Sequence, residues 1–566
     1  MRKKCKKRGD EAGALRKAPV SITEIKWGSG MKAYESNDRV MSSILDDKAK
    51  TLGNKVFVRD HQTQSTWSEL SDASNRMANF LIRDLGVVKD DKVAVILPNC
   101  VDFLRVQFGI CKSGAVMVPI NVLSKLDILT QFLVNSEAKV IVIDAQYLPL
   151  IETVAQSIPN VKTLVVRGED FDPRKFACGR MFNIVPYERT LQGAPGNPNV
   201  EIAWHDPADI FYTSGTTGVS KGVVLPHNHH YVFGSNIVRA SRLGPLDVMY
   251  VCLPLYHGMG SYMSVMPMLL CGGTIALGEQ FSASRWLGEI RAYGATATWT
   301  VFSMPPILMK QPSNPDDADN PLKVMLCSGM PPDIVAPLEK RYTIKTLDFY
   351  GSTESSDLAY TSWDEERRPG AAGRVNSEFY EVEIVNEHDE VLPPGEIGEC
   401  VSRCKQPFTQ MTEYYRMPEE TLKAFRNRWL HTGDLCRLDK DGFLYFVGRG
   451  KDTIRRRGEN ISCYELETIL SGCEGVLECS SIPVPSELGE DEIKIIIAPR
   501  EGVKLDFPAV MSFCREKMPK FMIPRYIEIV PEVPKLPNHK IDKARLKNDG
   551  LNPATWDVES GRYIGG

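Results

Sequence analysis

An α/β fold is what the order of apolar segments predicts: a large N-terminal domain of layered sheets and helices, followed by a small C-terminal α+β domain. Three observations carry this expectation. Short, fully apolar runs alternate with helix-length segments through the first half of the chain, the pattern of strands buried on both faces of a largely parallel sheet. A glycine-rich stretch sits between two further strand-like runs. A last block, residues 451–566, has its own strand and ends in a Lys-rich segment, and is long enough for a small separate domain.

The expected strands are Val93–Leu97 (VAVIL), Ala115–Ile120 (AVMVPI), Val140–Ile143 (VIVI) and Thr163–Val166 (TLVV). Each is a short apolar run rich in β-branched residues. Before them, Thr66-Trp-Ser-Glu69 has capping-box spacing, and Leu70, Ala73, Met77 and Phe80 recur at helical intervals, which predicts a helix starting after Thr66. Asp209–Tyr212 (DIFY) and Val223–Leu225 read as strands entering and leaving the glycine-rich stretch, and Ile493–Ala498 (IKIIIA) as a strand of the C-terminal block. The expected domains are a disordered basic tail over 1–35, a large domain over 36–450 and a small one over 451–566.

Composition narrows the function. The 566 residues carry 68 basic and 72 acidic side chains, a formal charge of −4, which argues against a general nucleic-acid binder. No apolar run approaches the ~18 residues of a membrane span. The first eight residues include six basic ones without an apolar stretch behind them, so they do not read as a secretory signal. The fourteen cysteines form no CxxC pair. Reduced thiols in a cytoplasmic protein are the expectation, and neither Cys400/Cys404 nor His227-Asn-His-His230 has the partners of a metal site.

The stretch Tyr212–Gly222 reads YTSGTTGVSKG. Successive amides in such a turn form a concave anion nest. Thr213, Ser214, Thr216 and Thr217 add hydroxyls, Gly215 and Gly218 allow close backbone approach, and Lys221 adds a charge. A polyphosphate is the natural guest. The spacing around Lys221 excludes a Walker A loop. Further along stand Phe349-Tyr-Gly-Ser-Thr-Glu354, Trp429-Leu-His-Thr-Gly-Asp434, the segment Gly448–Asn460 (GRGKDTIRRRGEN) and Pro534–Lys540 (PKLPNHK). In this order and spacing the five stretches resemble the adenylate-forming superfamily of acyl-CoA synthetases, luciferases and peptide-synthetase adenylation domains, from about Val56 to Leu546. Leu97–Cys100, Ala115–Asn121, Gly458–Ser462 and Lys520–Pro524 resemble most the crotonobetaine/carnitine-CoA ligase branch.

The resemblance implies a two-step acid–thiol ligase using ATP, Mg²⁺ and coenzyme A. A carboxylate attacks the α-phosphate, and a thiol then displaces AMP from the acyl-adenylate. It implies that the 213–221 loop holds the outer phosphates, that adenine lies between Tyr350 and Ser328-Gly329-Met330, and that Phe349, Gly351 and Ser352 also belong to the ATP/AMP-binding set. It further implies that Asp348 accepts the exocyclic amine, Thr353 bonds the α-phosphate, Glu354 ligates Mg²⁺, and Asp434, assisted by Arg449, holds the ribose. Lys540 is expected to bridge the carboxylate and α-phosphate. The small domain is expected to be mobile, turning about Lys451 (Asp in many relatives) to bring Arg455, Arg457, Gly458 and Glu459 to the thiol step. His257 matches a gating position beside the acyl pocket, whose walls are expected around Trp299–Ser303 and Ser328. Phe302 or Tyr231 would offer an aromatic face to a quaternary ammonium. His539 replaces the usual Gly before the lysine, and Ser220 the common Pro before Lys221. The partners implied are a small carboxylic acid and coenzyme A, with no nucleic acid, in a monomer or homodimer. A carrier-protein acceptor or luciferase-like use of the adenylate stays open as the alternative.

Overall fold

The structure, a computed structural model, describes residues 32–124, 126–168, 176, 178–213, 220–301, 304–330, 332–449, 453–456, 459–486, 491–518, 520–536 and 540–564. Among these, two large mixed sheets of thirteen and eight strands account for the first three quarters of the chain, and a five-stranded sheet follows. The expected runs become the strands Lys92–Ile96, Val116–Pro119, Val140–Asp144 and Thr163–Arg167, mutually parallel within the eight-stranded sheet. Their alternation decides the layering. Val93 and Val95 join the core shared with the larger sheet, while Ala94 and Ile96 join a second core on the outer face. Both faces are covered, so the central positions of these strands are apolar and polar residues stand only at their ends.

Helices fill the layer between the sheets. Trp67–Arg83 begins at the expected capping box: Thr66 Oγ1 accepts from Glu69 N at 3.2 Å, and Glu69 Oε2 accepts from Thr66 N at 2.8 Å. It packs on Val101–Lys112, where buried Lys112 meets Asp46 at 2.6 Å and is further bonded to Ser71 and Asn75. The helix His227–Ser241 carries the histidine run into the core, with His227, His229 and His230 at most 3% exposed. No group of three or more His, Cys, Asp or Glu able to hold a metal exists among the described residues. Residues 1–31 of the expected tail lie outside the described residues. Tyr34, assigned to that tail by composition, is instead buried: its hydroxyl donates to Asp47 and its amide donates to the Tyr231 hydroxyl.

The C-terminal sheet is Val476–Pro485, Asp491–Pro499, Tyr526–Ile529, Trp556–Asp557 and Arg562–Tyr563. It has cores of its own: Ile493, Ile495 and Ile497 face one, Ile496 and Ala498 the other. Lys310, past the helix Met304–Met309, donates to the carbonyl oxygens of Val476 at 3.0 Å and of Leu477. Burial there draws its ammonium pKa down to about 8. No helix among the described residues is long and apolar enough to cross a membrane.

Candidate active site

Parallel strands of an α/β sheet collect ligand groups at their carboxyl ends. Here Ala297–Val301, Val324–Ser328 and Lys345–Ser352 run parallel, side by side. Their carboxyl ends deliver two of the sequence-predicted segments to one edge. Ser328 ends its strand exposed, Gly329 follows in left-handed backbone at φ +79°, and Met330 is buried. Cys327 fixes this turn by donating its thiol to Gly329 O at 2.9 Å.

On the neighbouring strand Asp348 and Tyr350 share a face, being two residues apart. The Tyr350 ring is buried near Phe446, and its hydroxyl donates to Asp434 Oδ2 at 3.0 Å. Phe349 points the other way and stacks on Tyr360. The strand then kinks. Gly351 sits so close to the returning strand that a Cβ would lie 1.7 Å from Ser356 O, so only glycine fits. Beyond it Ser352 and Ser355 cap each other, each side-chain oxygen accepting the other's amide. This tight turn presents Thr353 and Glu354 half-exposed. Glu354 is held twice: its carbonyl accepts from Met411 N at 2.9 Å, and Oε1 accepts from the Tyr414 hydroxyl at 3.1 Å.

Asp434 lies in the strand Leu430–Leu438, after Gly433 at φ +72°, and is 5% exposed. Its strand partner in register is Arg449, the last residue of Phe443–Arg449. Glu399 supports the turn before Asp434 by accepting from Gly433 N at 3.1 Å and pairing with His431 Nδ1 at 2.9 Å.

The glycine-rich stretch closes a hairpin. Pro207–Thr213 and Lys221–Pro226 are antiparallel, with Thr213 opposite Lys221. Ser214, Gly215, Thr216, Thr217 and Gly218 lie outside the described residues. The hairpin base is pinned by the Tyr212 hydroxyl, which donates to Asn135 at 2.7 Å, and by Gln131, which donates to Ser220 O at 2.8 Å. Lys221 Nζ is 2.5 Å from Glu420 and 4.7 Å above the Tyr414 ring. Tyr414 therefore joins Lys221 to Glu354, a link the sequence reading missed. Its only local signal is the aromatic pair Tyr414-Tyr415 ahead of the acidic helix start Pro418-Glu-Glu420.

His257 is half-buried, its Nε2 shielded from solvent without a hydrogen-bond partner. Its pKa is drawn down to about 4, first by burial and then by the positive charge of Lys540. That second effect brings two residues 283 positions apart within electrostatic reach. Lys540 itself is exposed, on a turn in which its carbonyl accepts from Leu536 N at 2.7 Å and Lys535 bridges to Ile541. His539, Lys451, Arg457, Gly458 and Phe302 lie outside the described residues, and Arg455 and Glu459 fall on the paired strands Thr453–Arg456 and Glu459–Ser462. Tyr231 does not offer its ring to a ligand as expected: the Arg39 guanidinium already occupies a face at 4.6 Å.

Comparison with known proteins matches these features to one family. The model described as "AMP-binding enzyme" covers residues 45–415, and "AMP-binding enzyme C-terminal domain" covers 465–540. The chain is 32% identical over 518 residues to the crotonobetaine/carnitine–CoA ligase of Salmonella paratyphi A, covering 90% of this chain and 98% of that one. The same ligase of Citrobacter koseri is 32% identical over 519 residues, with the same coverage. Among solved structures, the anthranilate CoA ligase AuaEII with anthranoyl-AMP superimposes with a TM-score of 0.82 at 23% identity, over 92% of this chain and 98% of that one. ATP-bound MatB from Rhodopseudomonas palustris gives 0.80 at 24% identity, over 90% and 98%.

Proposed function

Because the chain belongs to the AMP-binding enzyme family, we propose that it is an ATP-dependent acid–CoA ligase of the crotonobetaine/carnitine–CoA ligase branch. In the first step a substrate carboxylate oxygen bonds to the α-phosphorus and the bond to the bridging oxygen breaks, releasing pyrophosphate. In the second the coenzyme A thiolate bonds to the acyl carbon and AMP leaves.

Two anions must meet in step one, so positive charge has to converge on the reacting phosphate. The observation that carries the reading is the sheet edge where Ser328–Met330, Asp348 and Tyr350 meet Asp434, whose carboxylate accepts from the Tyr350 hydroxyl; Lys540 lies near enough to His257 for its charge to be felt there. From there the ammonium bridges carboxylate and α-phosphate, with Thr353 donating its hydroxyl to the same phosphate. Burial keeps His257 neutral, so it lines the acid's path without adding charge. Tyr350 takes the base on its ring face against Ser328–Met330, while Asp434 accepts from the ribose hydroxyls, assisted by Arg449. Lys221 and the loop before it hold the outer phosphates, for which Lys221 exchanges Glu420. The oxygen donors Glu354 and Thr353 suit a hard cation; Glu354 would hold Mg²⁺, which neutralises phosphate charge when bound. For step two the small domain turns about Lys451, withdrawing Lys540 and bringing up the loop of Arg455, Arg457, Gly458 and Glu459.

The test is to incubate the protein with ATP, Mg²⁺, coenzyme A and a panel of acids including carnitine, crotonobetaine, anthranilate and fatty acids. Equal amounts of AMP and acyl-CoA with at least one acid are expected. No product with any acid, together with no acid-dependent pyrophosphate exchange, contradicts the proposal.

A further inference from the structure

We infer that Arg367 is a positioning residue which turns Asp348 into a selector of adenine over 6-oxopurines, by holding one carboxylate oxygen and aiming the other at the C6 substituent of the base. The inference rests on the reading above, in which the nucleoside lies against Tyr350.

The two oxygens of Asp348 have unlike surroundings. Oδ2 accepts from Arg367 Nη1, whereas Oδ1 is buried without a hydrogen-bond partner, in a residue only 3% exposed. A buried carboxylate oxygen left unpaired is costly unless a ligand supplies a donor. Its place indicates which ligand. Asp348 shares a strand face with Tyr350 and pairs in register with Cys327, directly before Ser328–Met330, so it lies between the two segments assigned to the base. Adenine carries an amine at C6 and donates. Hypoxanthine and guanine carry a carbonyl there and would set oxygen against oxygen.

Arg367 is fixed from behind. Its Nη2 donates to Thr346 O and Thr346 Oγ1, both at 2.9 Å, and that hydroxyl in turn donates to Glu339 at 2.8 Å. The guanidinium thus grips two points of one strand in a planar fork. It also governs charge. Burial pushes the Asp348 pKa up to about 6 even against the downward pull of Arg367, with a smaller upward push from the Glu339 carboxylate. Tyr464 and Cys327, also within electrostatic reach, are held protonated by burial. Without Arg367 the carboxyl takes up a proton near neutral pH, becomes a donor as well, and stops rejecting a carbonyl. A surface cavity of about 400 Å³ lined by Arg367, Thr346, Glu339 and Glu365 opens behind this group, so shortening Arg367 admits water rather than leaving a sealed void.

The full-length protein is titrated at pH 7.5 with the Mg²⁺ complexes of ATP, inosine triphosphate and purine riboside triphosphate, which has no C6 substituent. Wild type is expected to bind ATP tighter than either analogue by about tenfold or more. Arg367→Met should narrow the ATP/inosine triphosphate ratio to roughly threefold or less, and Arg367→Lys should keep more of it. Asp348→Asn should reverse it, because the amide oxygen stays with Arg367 and turns an N–H toward the base. A wild-type ratio near one, or an unchanged ratio in Arg367→Met, overturns the inference. Should that variant fail to fold, an unchanged ratio in Asp348→Asn does so. Absence of binding for all three nucleotides counts against the ligase reading itself, whereas ATP binding with ratios that do not respond counts against Arg367 alone.

Discussion

Asp434 and Lys540 are both single charged residues assigned to the reaction, and they stand on opposite kinds of ground. Asp434 is 5% exposed in the middle of a nine-residue strand, bonded to a buried tyrosine. Lys540 is exposed on a short turn of the small domain. The groups proposed to bind the nucleoside are built into sheet positions whose geometry the core enforces. The residue proposed to move charge onto the phosphate sits at the surface rather than in a strand. On the proposed function, binding would be preorganised, while chemistry would depend on a domain that leaves for the second step. The comparison predicts that damage on the first side costs affinity and stability together, and on the second side costs rate alone.

The largest effect expected is on the mobile side. Lys540→Ala should slow ATP-dependent pyrophosphate release by roughly 10²–10³, the scale of losing one preorganised charge at a transition state, with thermal stability unchanged. A melting temperature that falls with the rate would erase the contrast. On the rigid side, Gly351→Ala forces main chain apart, since the new methyl meets Ser356 O at 1.7 Å. A loss of about 3 kcal/mol in denaturant unfolding is expected, against none at Lys540. Asp434→Ala should raise the ATP requirement about tenfold, as removal of a charged hydrogen-bond acceptor does, and lower stability as well; nucleotide binding equal to wild type would take Asp434 off the ribose.

The smallest effect sharpens what burial means here. His229 has its pKa drawn down to about 3 by desolvation alone, against about 6.5 in an unfolded chain. Below pH 6.5 the unfolded state binds this proton more readily, so His229 subtracts stability as pH falls from 6.5 toward 3. Asp209 and Asp357, pushed up to about 8 and about 7 by burial, act in the opposite sense: their contribution is lost as pH rises through those values. His229→Gln isolates one limb. It should melt with a shallower fall between pH 7 and pH 5 than wild type, and an equal fall would show that His229 does not titrate there.

Much of this was legible in the sequence, for local reasons. The inner parallel strands of the eight-stranded sheet are buried on both faces, so each centres on a contiguous apolar run that needs no alternation to be found. The capping box is four consecutive residues. The site motifs are likewise contiguous, and placing Asp348, Tyr350 and Glu354 at one sheet edge follows from a single strand and its turn. What stayed hidden is contact between distant stretches. Arg367 reaches back 19 residues to Asp348, Tyr414 reaches back 60 to Glu354, and Lys310 reaches forward 166 to Val476. None of these pairings leaves a period or a motif. Tyr34 was lost to the tail because its neighbours are polar, although a buried aromatic partner, Tyr231, waits 197 positions away.

The central claim is that Lys540 serves the phosphate step and is absent from the thiol step. The direct test supplies Lys540→Ala with preformed acyl-adenylate and coenzyme A and follows thioester formation. A rate within about threefold of wild type is predicted, since the 10²–10³ contribution of that charge belongs to the other half-reaction. A loss as deep as that in pyrophosphate release would contradict the account.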